Sequence, residues 1–238
     1  MLAPLKITFH LDSPMQRSGY PIHLDALIAY AQTHSALAGM DADDAPQGMI
    51  RELAEDLPLA KAEKDGEWVW KASALIPTAF GEKSVRMWTR KTNPDDFARW
   101  VIANKVEVGV RTQNALEQGK PYAGTIDTQR GLLKNMFEFY PLEEIHQLEA
   151  WCVGDIDLLE NLLAPESGWI THIGKRTRVG HGRVKTIQIE EDEDALEKWK
   201  LRVLPWPEAG YEPVQAGLRP PYWAAENRGV GDCPDTLF

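Results

Sequence analysis

Residues 5–31 read LKITFHLDSPMQRSGYPIHLDALIAYA, and this stretch decides the fold class. Leu5, Ile7, Phe9 and Leu11 alternate with Lys6, Thr8, His10 and Asp12, the period of two that gives a strand one buried and one exposed face. After a turn running from Pro14 to Pro21, Leu24, Leu27, Ile28 and Ala31 fall at i, i+3, i+4 and i+7. That is the apolar stripe of a helix, with Asp25 favourably placed in its first turn and His23 at its start. A strand followed by a helix, each with one apolar face, opens a layered fold.

Downstream, residues 145–153 read as a strand. Gly154-Asp155 then opens a helix in which Ile156, Leu159 and Leu163 share a face before Pro165 stops it. Residues 169–173 and 184–189 read as two further short strands. Residues 68–76 and 85–92 read as a hairpin whose long loop holds Pro77 and Gly81. Asn93 and Pro94 make an N-cap and first-turn pair for a short helix over residues 95–103 that buries Phe97 and Val101. Residues 105–111 alternate again. Residues 114–131, with Gly119, Pro121, Gly124 and Gly131 and no apolar period, read as a loop or the tip of a projecting hairpin.

This order is compatible with an α+β, split βαβ antiparallel plait, helices on one face of the sheet and the other face free. Residues 39–67 are acidic and Ala-rich and read as an insertion with a short surface helix through Met49, Ile50, Leu53 and Leu57. The plait is therefore expected over residues 1–192. Residues 193–238, rich in Pro and Trp, are expected to wrap the surface in extended form. Trp199, Trp206, Tyr222 and Trp223 make that tail either a covering strap or a docking surface for a neighbouring subunit. The acidic run at 190–194 reads as a solvated turn.

The chain has 238 residues and a formal net charge of -10, which argues against general adhesion to nucleic acid. Against that background, residues 169–190, WITHIGKRTRVGHGRVKTIQIE, hold Lys175, Arg176, Arg178, Arg183 and Lys185 around Gly174, Gly180 and Gly182. No Asp or Glu lies between Thr171 and Gln188, so the segment points to a defined polyanion site. The two cysteines, Cys152 and Cys233, have no neighbour at metal-ligand or CxxC spacing, so no metal, disulfide framework or cofactor is indicated. The N-terminus lacks a signal-peptide pattern and no apolar run approaches the roughly 18 residues of a membrane span. The expected setting is the cytoplasm, without membrane association.

Spacing excludes two phosphate-binding motifs. A Walker loop needs four residues between its glycines and a following Lys, whereas Gly174 and Gly180 have five between them and His181 follows Gly180. A dinucleotide fingerprint must open a helix, whereas Gly180-His181-Gly182 leads into Arg183, Val184 and a β-rich run. Two readings stay open on spacing alone. One is a flexible loop whose glycines let the backbone approach a ligand while the cations and His181 meet successive phosphates. The other is a basic hairpin tip with glycines at positive φ.

Other candidates carry similar alternatives. Arg86, Arg90 and Lys91 interleave with Trp88 on a strand and suit a stacked base with its phosphate, or else a half-buried strand with Trp88 in the core. His10 shares the polar strand face with Lys6 and Thr8, on the open surface of the sheet, or is simply structural.

The stretches ITHIGKRTRVGHGRV (170–184), AWCVGDIDLLENLL (150–163), PLKITFHLDSP (4–14) and PIHLDALIAYA (21–31) together resemble the RAMP superfamily of CRISPR proteins. They are most similar to the type IV effector subunit that holds the 5′ handle of the guide RNA, the counterpart of the fifth-family subunit of type I complexes. The resemblance covers most of residues 4–190 and is weak in the acidic insertion and the tail. It implies a ferredoxin-like (RRM-like) antiparallel plait whose glycine loop grips RNA backbone and on whose open sheet surface, where RRM-like folds bind RNA, His10 would lie. It also implies a thumb hairpin, somewhere in residues 104–140, where Lys120, Arg130 and Lys134 would suit handle contact. The implied partners are guide RNA, backbone and large subunits, and, through the complex, target double-stranded DNA beside a short adjacent motif.

Such a subunit is usually a non-catalytic cap. The alternative is a metal-independent endoribonuclease, with His10 or His181 as base and Tyr122 as acid. No two of these residues lie at a spacing that enforces proximity. A protein-only scaffold would fit the acidic net charge and leave the basic loop unexplained.

Overall fold

The computed structural model describes residues 1–17, 19–40, 46, 48–91, 93, 95, 99, 129 and 134–237. Strand β1 (Leu2–Leu11) buries Leu5, Ile7, Phe9 and Leu11, as the alternation requires. Helix α1 (Leu24–Leu37) lays Leu24, Ile28 and Ala31 on that face. Next come α2 (Met49–Glu55), a hairpin of β2 (Lys61–Lys64) and β3 (Glu67–Trp70), β4 (Ile76–Arg90) and β5 (Met136–Asp155). Helix α3 (Ile156–Leu163) leads to β6 (Val184–Glu191). The sheet order is β4-β5-β1-β6, with β1 antiparallel to both neighbours. The succession β1-α1-β4-β5-α3-β6 in that order is a ferredoxin-like plait.

Cross-strand register explains the core. Ile7 sits opposite Ala150 and Ile189, and Phe9 opposite Leu148 and Ile187, so these residues share the helix-covered face. Leu159 and Leu163 of α3 close the same cluster. Phe9 is wholly buried there, and truncating such a side chain to Ala costs about 3–5 kcal/mol. Helix α3 begins where the sequence places it. The Asp155 carboxylate accepts from the Leu158 amide at 3.3 Å and pairs with the N-terminal ammonium of Met1 at 2.7 Å. That ammonium holds the Asp155 carboxyl below its ordinary range.

The expected hairpin of residues 68–76 and 85–92 is not formed. The first hairpin is instead β2–β3, turning at Asp65 and Gly66 with φ of 54° and 84°. Two consecutive positive φ values define the type I′ turn, and Asp-Gly is its usual sequence. Residues 71–75 then run through the interior, where the Ser73 amide donates to Trp151 O, and its carbonyl accepts from the Leu24 amide. Strand β4 continues straight through Pro77 and Gly81. It is the edge of the sheet, and an edge strand tolerates a residue without a ladder donor. Likewise residues 169–173 contribute only one bridge, His172 to Arg183, rather than a strand.

The tail is not an extended strap. A short helix α4 (Ala195–Lys198) is followed by an antiparallel hairpin of β7 (Tyr211–Gly217) and β8 (Arg228–Pro234). Trp199 and Trp206 are buried with Val69 and Leu204, and Val203, Ala216 and Cys233 pack against Ala74. Arg202 fastens the tail. Its guanidinium is fully buried and reaches Asp25 Oδ2 at 3.0 Å, Trp70 O at 2.8 Å, Ala72 O at 3.0 Å and Leu218 O at 2.8 Å. Tyr222 donates its hydroxyl to Asp25 Oδ1 at 2.7 Å and stacks on His23. The ring of His23 accepts from the Val203 amide at 3.3 Å. Thus Asp25 and His23 serve the tail rather than the helix start: no side chain caps α1 at His23.

Residues 1–84 and 142–238 form one compact unit and residues 85–141 a second. Within the second, the Arg90 guanidinium donates to Lys134 O at 2.9 and 3.2 Å, and Phe137 and Phe139 meet edge to face at 5.2 Å. The helix expected over 95–103, the alternation at 105–111 and the tip at 114–131 lie, apart from Asp95, Arg99 and Gln129, outside the described residues. Among the described residues no helix is long and apolar enough to cross a membrane.

Candidate nucleic-acid interface

The glycine loop is a clamped structure, not the flexible one its composition suggests. The Gly182 amide donates to Pro14 O at 2.9 Å, and the Lys175 amide to Gln16 O at 3.0 Å. The Asp12 amide donates to Arg183 O at 3.1 Å, while the Ile173 amide reaches across the loop to Gly182 O at 2.8 Å. Ser13 ties the remaining side: its hydroxyl donates to Gly180 O at 2.8 Å and accepts from the Arg183 amide at 2.8 Å. Each side of the loop is thus knitted to the segment that leaves β1.

The glycines have distinct reasons. Gly182 is buried at φ +67°, and a Cβ there would overlap the carbonyl oxygen of Ile173. Gly174 lies at φ +103° against Gln16 O, 2.8 Å from where its Cβ would be. At Gly180 a Cβ would meet open space. Arg176 itself adopts φ +57°, which tightens the chain into a single 3-10 turn over Thr177–Val179.

The cations separate into two kinds. Lys175, Arg178 and Lys185 are exposed, and Arg176 and His181 are half-buried. Arg183 is exposed too, but its Nε and Nη2 bind the two oxygens of Asp12 at 2.7 Å each. Hydrogen bonding to Arg183 holds the Asp12 carboxyl below its ordinary value. Arg183 is therefore first a brace of the loop and only second a candidate for phosphate.

The open face of the plait has a different character. It presents Lys6, Thr8 and His10 of β1, with Gln147 and Glu149 on one side and Gln188 and Glu190 on the other. Lys6 pairs with Glu149 at 3.1 Å and Glu190 at 3.7 Å, and His10 Nε2 sits 3.3 Å from Gln188 Oε1. At one end Trp151 is buried, donates to Asp192 at 3.1 Å and is capped by Lys198 at 4.7 Å. Two carboxylates to one ammonium, and a tryptophan already covered, make this face a poor platform for an RNA strand.

In the second unit Arg86 and Lys91 are exposed, Trp88 is half-buried, and Lys134 is exposed beside the Arg90 contact with its carbonyl. Lys120, Arg130 and Tyr122 lie outside the described residues. Both cysteines are buried, which pushes the Cys152 thiol up to about 12 and the Cys233 thiol up to about 11, so neither is a nucleophile at neutral pH.

Sequence reasoning passed over Asp12, Ser13 and Gln16, although Asp-Ser-Pro directly after a strand signals a turn whose side chains bond backbone. It also passed over Tyr30 and Trp169, which line a cavity of about 490 Å³ that reaches Gly174 and Arg178. No curated protein matches the chain. A family model described as CRISPR type IV associated protein Csf3 matches residues 3–234, nearly the whole length. A plait with a braced cationic loop, matched end to end by that family, is therefore a type IV CRISPR subunit: the chain belongs to the CRISPR type IV associated protein Csf3 family.

Proposed function

We propose that the chain is the non-catalytic RAMP-type subunit that binds and caps the 5′ handle of the guide RNA in a type IV CRISPR ribonucleoprotein. There it sits with the backbone and large subunits and helps recognise target double-stranded DNA beside its adjacent motif. The observation that carries this reading is the braced glycine loop, which holds Lys175, Arg178 and Lys185 outward on a backbone pinned to residues 12–16. A fixed row of cations meets successive phosphates without first being ordered, so little conformational entropy is lost on binding. The carboxylates on the open sheet face favour the loop over the sheet as the track of the strand. The resemblance implies a thumb somewhere in residues 104–140, where Lys120, Arg130 and Lys134 would suit contact with the handle.

The test is co-expression with the partner subunits and a repeat array, followed by sequencing of the RNA that co-purifies. The expected result is short RNA of uniform 5′ end, lost when Lys175, Arg178 and Lys185 are all changed to Glu. RNA content unchanged by that triple substitution sinks the reading. Arg183 is left out of the set, because Arg183→Glu would face Asp12 with a like charge and disturb the loop whatever it binds.

A further inference from the structure

The cavity beside the glycine loop has the make-up of a base pocket. Its apolar lining includes Ile22 and Leu27, ahead of and within α1, and Ile170 and Ile173. Tyr30 and Trp169 line it too. His34 bridges them, with ring centroids 4.2 Å from Tyr30 and 6.4 Å from Trp169, so the aromatic row is held in place by mutual contact. Tyr30 remains 51% exposed. Thr177 and His172 stand at the rim, with His172 Nδ1 3.1 Å from Thr171 Oγ1. The volume of about 490 Å³ falls within the roughly 300–1,000 Å³ of small-molecule sites. Arg178 and Gly174 belong to both the cavity and the cationic loop, so the two adjoin.

We infer that this cavity receives one nucleobase of the RNA gripped by the glycine loop, splayed from the strand and stacked on Trp169 and Tyr30. The inference rests on the loop being an RNA clamp. Stacking on aromatics reads every base by its π face, and the Thr177 and His172 rim adds donors and acceptors for its edge. The cavity therefore sets the register: the nucleotide seated here decides which phosphates meet Lys175 and Arg178.

The experiment uses the full chain and labelled single-stranded RNA of the repeat sequence from its own array, with each nucleotide in turn made abasic. One abasic position is expected to weaken binding about tenfold or more, as loss of a stacked base does. In Trp169→Ala, and separately in the exposed-site variant Tyr30→Ala, that penalty disappears, while the salt dependence of binding stays as in the parent. Tyr30→Phe, which keeps the ring, retains it. A penalty unchanged in both alanine variants, or no sensitive position at all, overturns the base pocket. If Lys175→Glu with Arg178→Glu leaves RNA affinity intact, the clamp fails and the pocket with it. If those charge reversals remove binding but the abasic pattern ignores Trp169 and Tyr30, only the pocket fails.

Discussion

Gly182→Ala and Gly180→Ala form a matched pair that separates backbone conformation from close approach. Both glycines lie at positive φ, +67° and +87°, and a side chain there costs about 1–2 kcal/mol. Gly180 adds nothing to that, since its Cβ would meet no atom within 4 Å. At Gly182 the Cβ would overlap the carbonyl oxygen of Ile173, and backbone atoms must move. That movement strains two hydrogen bonds, Ile173 N to Gly182 O at 2.8 Å and Gly182 N to Pro14 O at 2.9 Å, each worth about 0.5–1.5 kcal/mol net. Gly182→Ala is thus expected to lose about 1–3 kcal/mol more than Gly180→Ala, read from urea denaturation at constant slope. Amide exchange sharpens the assay: protection of Ile173, Lys175 and Gly182 should fall together in Gly182→Ala and persist in Gly180→Ala. RNA binding should follow the same split, because the outward cations depend on the clamp. Equal losses in the two variants would refute the clamp as the source of loop order.

Other outcomes follow from the remaining contacts. Arg202→Ala leaves Asp25 buried without its partner and is expected to lose about 3–5 kcal/mol in urea denaturation, whereas Arg202→Met with Asp25→Leu recovers most of it. His23 is held neutral, well below its ordinary 6.5, by burial and then by the Arg202 charge; its contribution is present above the unfolded value and lost as pH falls beneath it. Between pH 8 and pH 5 the parent should lose stability through His23, because the unfolded imidazole takes up a proton that the buried one does not. The check is the difference between the parent and His23→Gln denaturation curves, which removes the opposite contribution of Asp25, whose carboxyl is raised by burial. Asp12→Asn frees Arg183 from its bidentate carboxylate, so the log-log salt slope of RNA binding should steepen by about 0.7 for one more phosphate; an unchanged slope would mean Arg183 only braces the loop.

Elements whose burial follows a local period were legible in the sequence, and elements defined by their neighbours were not. β1 and α3 bury the faces their periods mark, and α1 buries Leu24, Ile28 and Ala31 of its stripe together with Asp25 and Ala29, so alternation or i, i+3, i+4 spacing was enough to find all three. The Asp65-Gly66 turn carried its own signal, but it lay in an acidic, Ala-rich segment whose composition suggested surface insertion. Strand β4 crosses Pro77 and Gly81 because it is an edge, and edge position is a property of sheet order rather than of residues 76–90. The tail shows the limit most plainly, since the arginine that helps anchor it finds its carboxylate 177 residues earlier. The same distinction governs the glycine loop. Its cations could be counted from sequence, but that Arg183 is held in a bidentate pair is decided by Asp12, 171 positions away. Arg178 and Arg183, five residues apart in one basic segment, thereby differ: Arg178 stays exposed, and Arg183 has committed its fork-shaped donors to Asp12.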